Sequence, residues 1–176
     1  MVHNRIEYKR IRELERCGYG IKSVLLSDEF SAINRYLRLL RKEEWLYNST
    51  NPILRLLRLP ISRIKNRLGV KLGLLIPRNV ADEGLKIWHT GSVIINAKAK
   101  IGKNCVFHGN NCVGNKGISN EAPTIGDDVE IGFGAQIVGG VYIADGCKIG
   151  AGAVVTKSCT KPNTTLVGIP AREVTK

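Results

Sequence analysis

Counting by sixes from Ile95, large apolar residues recur at Ile95, Ile101, Phe107 and Val113. After one skipped step at Ser119 the phase resumes at Ile125, Ile131, Ile137, Ile143, Ile149 and Val155. Glycine follows the large residue at Gly102, Gly114, Gly126, Gly132 and Gly150, and a smaller apolar side chain sits four places on, at Ala99, Cys105, Val129, Ala135, Val141, Cys147, Ala153 and Cys159. Neither the 3.6-residue period of a helix nor simple strand alternation produces this phase, and a fixed internal period has to be settled before any other element is assigned. A period of six means one short flat strand and one turn per unit, with a large and a small side chain facing inward. Glycine beside the large residue permits a turn that a Cβ would oppose. Stacked units then form a solenoid whose strands lie about 4.8 Å from those of the next coil.

Residues 1–80 read differently. They hold seventeen Lys/Arg against seven Asp/Glu, whereas residues 81–176 hold ten against eight, so most of the net charge of +12 lies in the first half. Ser27 is read as an N-cap with Asp28 and Glu29 in the first turn, and Ile33, Tyr36, Leu37, Leu40 and Tyr47 then recur at helical spacing. Asn51-Pro52 is a second cap with proline at the first helical position, followed by Leu54, Leu57, Ile61, Ile64 and Leu68 at steps of three and four. Pro60 is predicted to kink or divide that helix. Arg55, Arg58, Arg63, Lys65 and Arg67 fill its other positions, a basic amphipathic pattern that either packs on its own protein or lies on a membrane surface. Basic charge alone speaks to association rather than to the identity of a partner, and nucleic acid is not an expected one.

The start of the chain lacks the basic and apolar regions of a secretory signal, and no apolar run reaches about 18 residues, so the expectation is a soluble cytoplasmic protein, with peripheral contact at the inner face of the membrane as the variant the basic helices suggest. Five cysteines, Cys17, Cys105, Cys112, Cys147 and Cys159, form no CxxC pair, which argues against a disulfide framework or a zinc site. Cys105, Cys147 and Cys159 fall on the small inward phase, where a packed thiol accounts for them.

The run "IGKNCVFHGNNCVGNKG … PTIGDDVEIGFGAQIVGGVYIADGCKIGAGAVVTKSCTKPNTTLVGIPAREV", with "GLKIWHTGSVII" ahead of it, resembles the hexapeptide-repeat acyltransferases, and within them the serine acetyltransferase-like branch, over about residues 73–174. The resemblance implies a mainly β fold: a left-handed parallel β-helix, a hexapeptide-repeat solenoid with three hexads per coil, carrying an N-terminal α-helical extension. The expected division is residues 1–72 as a basic helical region and 73–176 as the β-helix domain, with a loop at about 114–124, where Ser119 breaks the phase and Pro123 follows, and a C-terminal tail. The same resemblance implies acetyl-CoA as donor, no metal, and a homotrimer with sites between subunits. A γ-type carbonic anhydrase shares the fold but needs three histidine ligands, and with His3 in the helical half only two remain in the solenoid.

Those two are His89 and His108. With three hexads per coil Phe107 stacks on His89, which places both histidines at one corner of adjacent coils. His89 also stands six before Ile95, so an unbroken repeat would bury it as a hydrogen-bonded neutral imidazole. In similar acetyltransferases the histidine of "GLxIxHxG" is the general base, which assigns catalysis to His89, expects the repeat to distort there with Gly91 available to absorb it, and makes His108 the orienting acceptor or the intermediate's partner. A hydroxyl is a poor nucleophile until an imidazole takes its proton as it attacks the thioester.

Three positions depart from the family. Leu74 stands where relatives place the acid that orients the histidine ring; Asp82, Glu83 and Glu121 are the substitutes in view. The acid directly before the histidine is Trp88, and an Arg-His pair beyond the loop is Glu121-Ala122. Trp88 beside the base suits a sugar face. The function expected is therefore acetyl transfer from acetyl-CoA to a saccharide hydroxyl in polysaccharide biosynthesis, with Trp88 and Glu121 at the acceptor. Serine O-acetylation for cysteine biosynthesis and a non-catalytic scaffold are the alternatives. For CoA the resemblance points to the backbone near Gly134 and Ala135, to Ala153, and to Lys148, Lys157, Lys161 and Arg172 as phosphate partners.

Overall fold

The computed structural model describes residues 1–16, 23, 25, 28–117 and 120–174. Ser27 as a cap, Ser119 in the loop and Cys17 lie outside the described residues. Helix α1 spans Arg5–Leu14, α2 spans Glu29–Asn48 and α3 spans Pro52–Leu72. Each begins where a short polar side chain satisfies free backbone N–H groups. Asn4 accepts from Ile6 and Glu7, Asp28 from Ser31, and Asn51 from Ile53 with Pro52 behind it. Gly73, at φ 74°, ends α3.

On α2 the expected face is the buried one, through Ile33, Tyr36, Leu37 and Leu40. Tyr47 instead lies outside, its ring 5.4 Å from the Arg58 guanidinium and 4.1 Å from that of Arg78. Helix α3 departs further from the reading. It runs through Pro60 without a break, at a turn where Leu56 and Pro60 are both exposed. Its packing face is also rotated: Leu57 and Ile64 are exposed with Ile53 and Leu56, while Lys65 and Gly69 are buried. Lys65 turns inward to Glu43 of α2, 2.7 Å away. Gly69 lets the helix lie where a Cβ would stand 2.5 Å from the Leu74 carbonyl oxygen and 3.0 Å from the Tyr36 ring.

From Leu74 onward the chain is a coil of short strands. In chain order they are β1 (Leu74–Leu75), β2 (Lys86–Ile87), β3 (Val93–Ile95), β4 (Lys100–Ile101), β5 (Val106–Phe107), β6 (Cys112–Gly114), β7 (Thr124–Ile125), β8 (Glu130–Ile131), β9 (Gln136–Val138), β10 (Tyr142–Ile143), β11 (Lys148–Ile149), β12 (Val154–Val155), β13 (Thr165–Val167) and β14 (Arg172–Glu173). They form three sheets, ordered β1-β3-β6-β9-β12, β10-β7-β4 and β14-β13-β11-β8-β5-β2. All pairs are parallel except β13 with β14. The chain thus visits the three sheets in rotation.

The register explains the hexad phase. Ile125 pairs with Ile143, Ile131 with Ile149 and Ile137 with Val155, each three hexads further along the chain. Every large and every small residue of the expected phase is buried. One hydrophobic core takes in these residues together with Ile33, Tyr36, Leu37 and Leu40 of α2. Where the loop leaves the coil the step lengthens by one hexad, as in Phe107 with Ile131 and Val113 with Ile137. Cys105, Cys147 and Cys159 are buried free thiols, and burial pushes the Cys105 thiol up to about 12.

A second set of contacts ties helices to coil. The Arg41 guanidinium, fully buried on α2, grips the Glu15 carboxylate beyond the end of α1, Glu44 one turn on at 2.8 Å, and the carbonyl oxygens of Ala81 and Asp82. Glu15 also accepts from the Leu85 amide at 3.2 Å.

Candidate active site

The coil carries its irregularity at His89. Ile87 pairs with Phe107 and Ile95 with Val113, so the stretch from β2 to β3 is two residues longer than the stretch from β5 to β6 that stacks on it. Ile87 takes the inward position, and His89 is carried out to the corner with its side chain 54% exposed. Gly91, at φ +120°, supplies the left-handed backbone that the bulge needs. The neighbour of His89 in the next coil is accordingly not Phe107 but Gly109, whose missing Cβ would stand 3.4 Å from the His89 Cβ. The added Cβ would be equally close to the ring of Phe133, which is itself half exposed on the following coil.

The His89 ring is held from outside the coil. Its Nδ1 lies 3.1 Å from Oε1 of Glu29, the first residue of α2. The second oxygen, Oε2, accepts from the amide and the hydroxyl of Thr90, each at 3.3 Å. The hydrogen bonds from His89 and Thr90 hold the Glu29 carboxyl below its usual range, against a smaller opposing effect of burial. An ionised carboxylate only accepts, so the contact calls for a proton on Nδ1, and among the described residues Nε2 meets no partner.

His108 is arranged the other way round. Its Nε2 lies 2.9 Å from Oε1 of Glu130, whose second oxygen lies 3.6 Å from the Lys148 ammonium. Trp88 and His108 lie side by side on adjacent coils, since the Trp88 amide donates to the carbonyl of Phe107. Trp88 and His108 are both partly exposed there.

The other residues singled out in the sequence are distributed over the molecule. Asp82 accepts from the Met1 amine at 2.7 Å, Glu83 is tied to Arg10 and Lys103, and Glu121 lies against Gly140, where an added Cβ would meet its carboxylate. Gly134 donates to the Gly109 carbonyl and Ala135 to that of Gly132, so both amides are already used within the coil. Ala153 is fully buried. Lys148 sits beside Glu130, whereas Lys157, Lys161 and Arg172 are exposed on the segment from β12 to β14. Among the described residues no group of three His, Cys, Asp or Glu side chains is placed to hold a metal, and no helix is long and apolar enough to cross a membrane.

Sequence reasoning missed two parts of this corner. Glu29 had no local signal beyond being an acid in a first helical turn, and it meets His89 across 60 residues of chain. Phe133 occupies an outward position of the repeat, where an aromatic carries no periodic information.

Residues 122–157 match the family described as bacterial transferase hexapeptide (six repeats). The chain is 29% identical to a serine acetyltransferase of Synechococcus elongatus over 136 residues, covering 76% of this chain and 53% of that protein. It is 30% identical to the serine acetyltransferase of Escherichia coli K12 over 150 residues, covering 84% and 51%. It therefore spans about half the length of these relatives. Among solved structures it is similar to Neisseria gonorrhoeae serine acetyltransferase in complex with serine, at 25% identity and a TM-score of 0.71, covering 97% of this chain and 70% of that one. These findings overturn the saccharide acceptor and, with it, the place in polysaccharide biosynthesis. The relatives are serine acetyltransferases. An exposed Trp88 was too little to assign a sugar, since an indole packs on many apolar faces.

Proposed function

We propose, from the premise that this chain belongs to the hexapeptide-repeat acyltransferases and to their serine acetyltransferase-like branch, that it transfers the acetyl group of acetyl-CoA to the hydroxyl of L-serine. The observation that carries the reading is His89: an exposed imidazole at a bulged corner of the coil, with Nδ1 on Glu29 and no partner on Nε2 among the described residues. Nε2 takes the serine hydroxyl proton as that oxygen attacks the thioester carbonyl. The resulting imidazolium returns the proton to the CoA sulfur as the carbon–sulfur bond breaks, which leaves O-acetylserine and free CoA. His108 turns its Nε2 to Glu130 and is the less exposed ring, 33% against 54% for His89, and serves as a polar wall of the site rather than as the base. Trp88 and Phe133 give the corner its apolar sides. Lys148, Lys157, Lys161 and Arg172 remain the residues proposed for the CoA phosphates. The amides of Gly134 and Ala135 are left out because both are spent, Glu121 because its contact is with Gly140, and Ala153 because it is buried.

In this reading residues 73–176 are the transferase unit, a left-handed parallel β-helix, and residues 1–72 are the helical region that buttresses it. A homotrimer closes the site, because the His89 corner is open to solvent in the single chain. Light scattering on the full chain is expected to give three times the chain mass, and a monomer that turns over at the full rate would sink the trimer. The cytoplasm, where acetyl-CoA is available, is the setting proposed. Membrane contact through α3 finds no support among the relatives and forms no part of the proposal.

The deciding assay is release of the CoA thiol from acetyl-CoA, with and without L-serine. Serine-dependent release is expected. No release with serine or any other hydroxyl acceptor would leave the scaffold alternative standing.

A further inference from the structure

We propose that Glu29 is the positioning residue for His89, so that the helical region, and not the coil, supplies the carboxylate that orients the base. This rests on the acetyltransferase reading above. Glu130 nearby is held by His108 and Lys148, and among the described residues no acid of the coil makes contact with the ring. Leu74 stands where relatives carry one, Asp82 holds the Met1 amine, Glu83 is taken by Arg10 and Lys103, and Glu121 lies against Gly140.

Glu29 grips a two-residue corner with both oxygens. Oε1 faces the imidazole Nδ1 at 3.1 Å while Oε2 takes the Thr90 amide and hydroxyl at 3.3 Å. A carboxylate bound at both oxygens fixes the direction of the ring as well as its tautomer, because it cannot swing about one hydrogen bond without breaking the others. Its platform is firm. Glu29 follows the N-cap Asp28, and α2 is anchored by Ile33, Tyr36, Leu37, Leu40 and Arg41 in the core. Standing in the first turn, the carboxylate is also favoured by the positive end of the helix dipole. The charged groups around the ring are few: Glu29 and, one residue earlier, Asp28, which is occupied by Ser23 and Ser31; and on the neighbouring coils His108, Glu130 and Lys148, which are engaged with one another.

The pair is solvent-exposed, at 54% for His89 and 38% for Glu29, and exposed ion pairs add little to stability. A positioning role and a structural role therefore separate cleanly. Glu29→Ala is expected to leave the melting temperature nearly unchanged and to lower kcat with L-serine by about 10- to 100-fold, part of the whole advantage of a general base. KM for serine and acetyl-CoA should change little. Glu29→Gln, which keeps the shape and loses the charge, should lose part of the rate, and Glu29→Asp should recover most of it.

A second readout does not depend on turnover. In 15N-histidine-labelled protein, with the His89 signal identified by its absence in His89→Ala, the neutral ring should carry its proton on Nδ1, and Glu29→Ala should move it toward Nε2. Wild-type kcat and tautomer in Glu29→Ala overturn the proposal, as does a rate loss that comes with a lowered melting temperature and an unchanged tautomer. If the unaltered chain releases no CoA with serine, the proposed function falls, while the tautomer measurement still decides whether Glu29 sets the ring.

Discussion

His89→Ala is expected to lower kcat for serine-dependent CoA release by about 10²- to 10⁴-fold, the usual loss when a general base is removed, and to leave acetyl-CoA binding nearly intact. The hydroxyl must then attack while still carrying its proton or pass it to water, and the neighbouring His108 ring is the less exposed of the two. His108 has Nε2 tied to Glu130, and Glu130 is in turn approached by Lys148. Because His89 sits on a bulge outside the core, with Ile87 in the inward position that an unbroken repeat would have given it, the substitution opens no cavity and should not unfold the protein. Calorimetric titration of acetyl-CoA alongside steady-state kinetics separates the two parts of the claim. A folded His89→Ala protein that turns over at the original rate would remove His89 from the mechanism. One that no longer folds would return the residue to a structural role.

Arg41→Ala should be the most damaging single change to stability, costing about 3–5 kcal/mol, as when one partner of a buried ion pair is deleted and the other charge is left uncompensated. Burial works against the charge on Arg41, but the two carboxylates outweigh it and hold the guanidinium above its ordinary range. Burial likewise raises the Glu15 carboxyl, with Arg41 opposing. Removing the guanidinium strands Glu15 and Glu44, both nearly inaccessible, and frees the carbonyls of Ala81 and Asp82 that tie the first coil to α2. Chemical denaturation should show a lowered midpoint. It should also show weaker catalysis in the variant that remains folded, because the same helix delivers Glu29 to His89. A midpoint within error of the wild type would mean that the network is not a support of the fold.

The coil of short parallel strands was open to reading because its signal is local and repeated. A large inward residue every six positions is a statement about neighbours in one chain segment, and each of the ten lies buried where the phase put it. Helix starts at Asn51 and near Asp28 were legible for the same reason, since a cap acts on amides two or three residues away. The packing face of α3 was not. Lys65 is buried because Glu43 of another helix awaits it, and that pairing overrides the apolar stripe that periodicity favoured.

The sequence by itself determined the three-sheet coil, its loop between Gly114 and Thr124, and the two histidines at one corner region, because each follows from side-chain volume and backbone freedom at short range. Only the tertiary structure decided which acid holds each ring and at which nitrogen, Glu29 at Nδ1 of His89 and Glu130 at Nε2 of His108. A two-residue bulge shifted the stacking partner of His89 from Phe107 to Gly109, and a register shift of that size leaves no mark in a hexad count that starts at Ile95. Glu29 reaches the ring because α2 docks its apolar face on the coil's core. The pairing of a carboxylate with an imidazole 60 residues away is a product of that docking, and no short-range pattern encodes it.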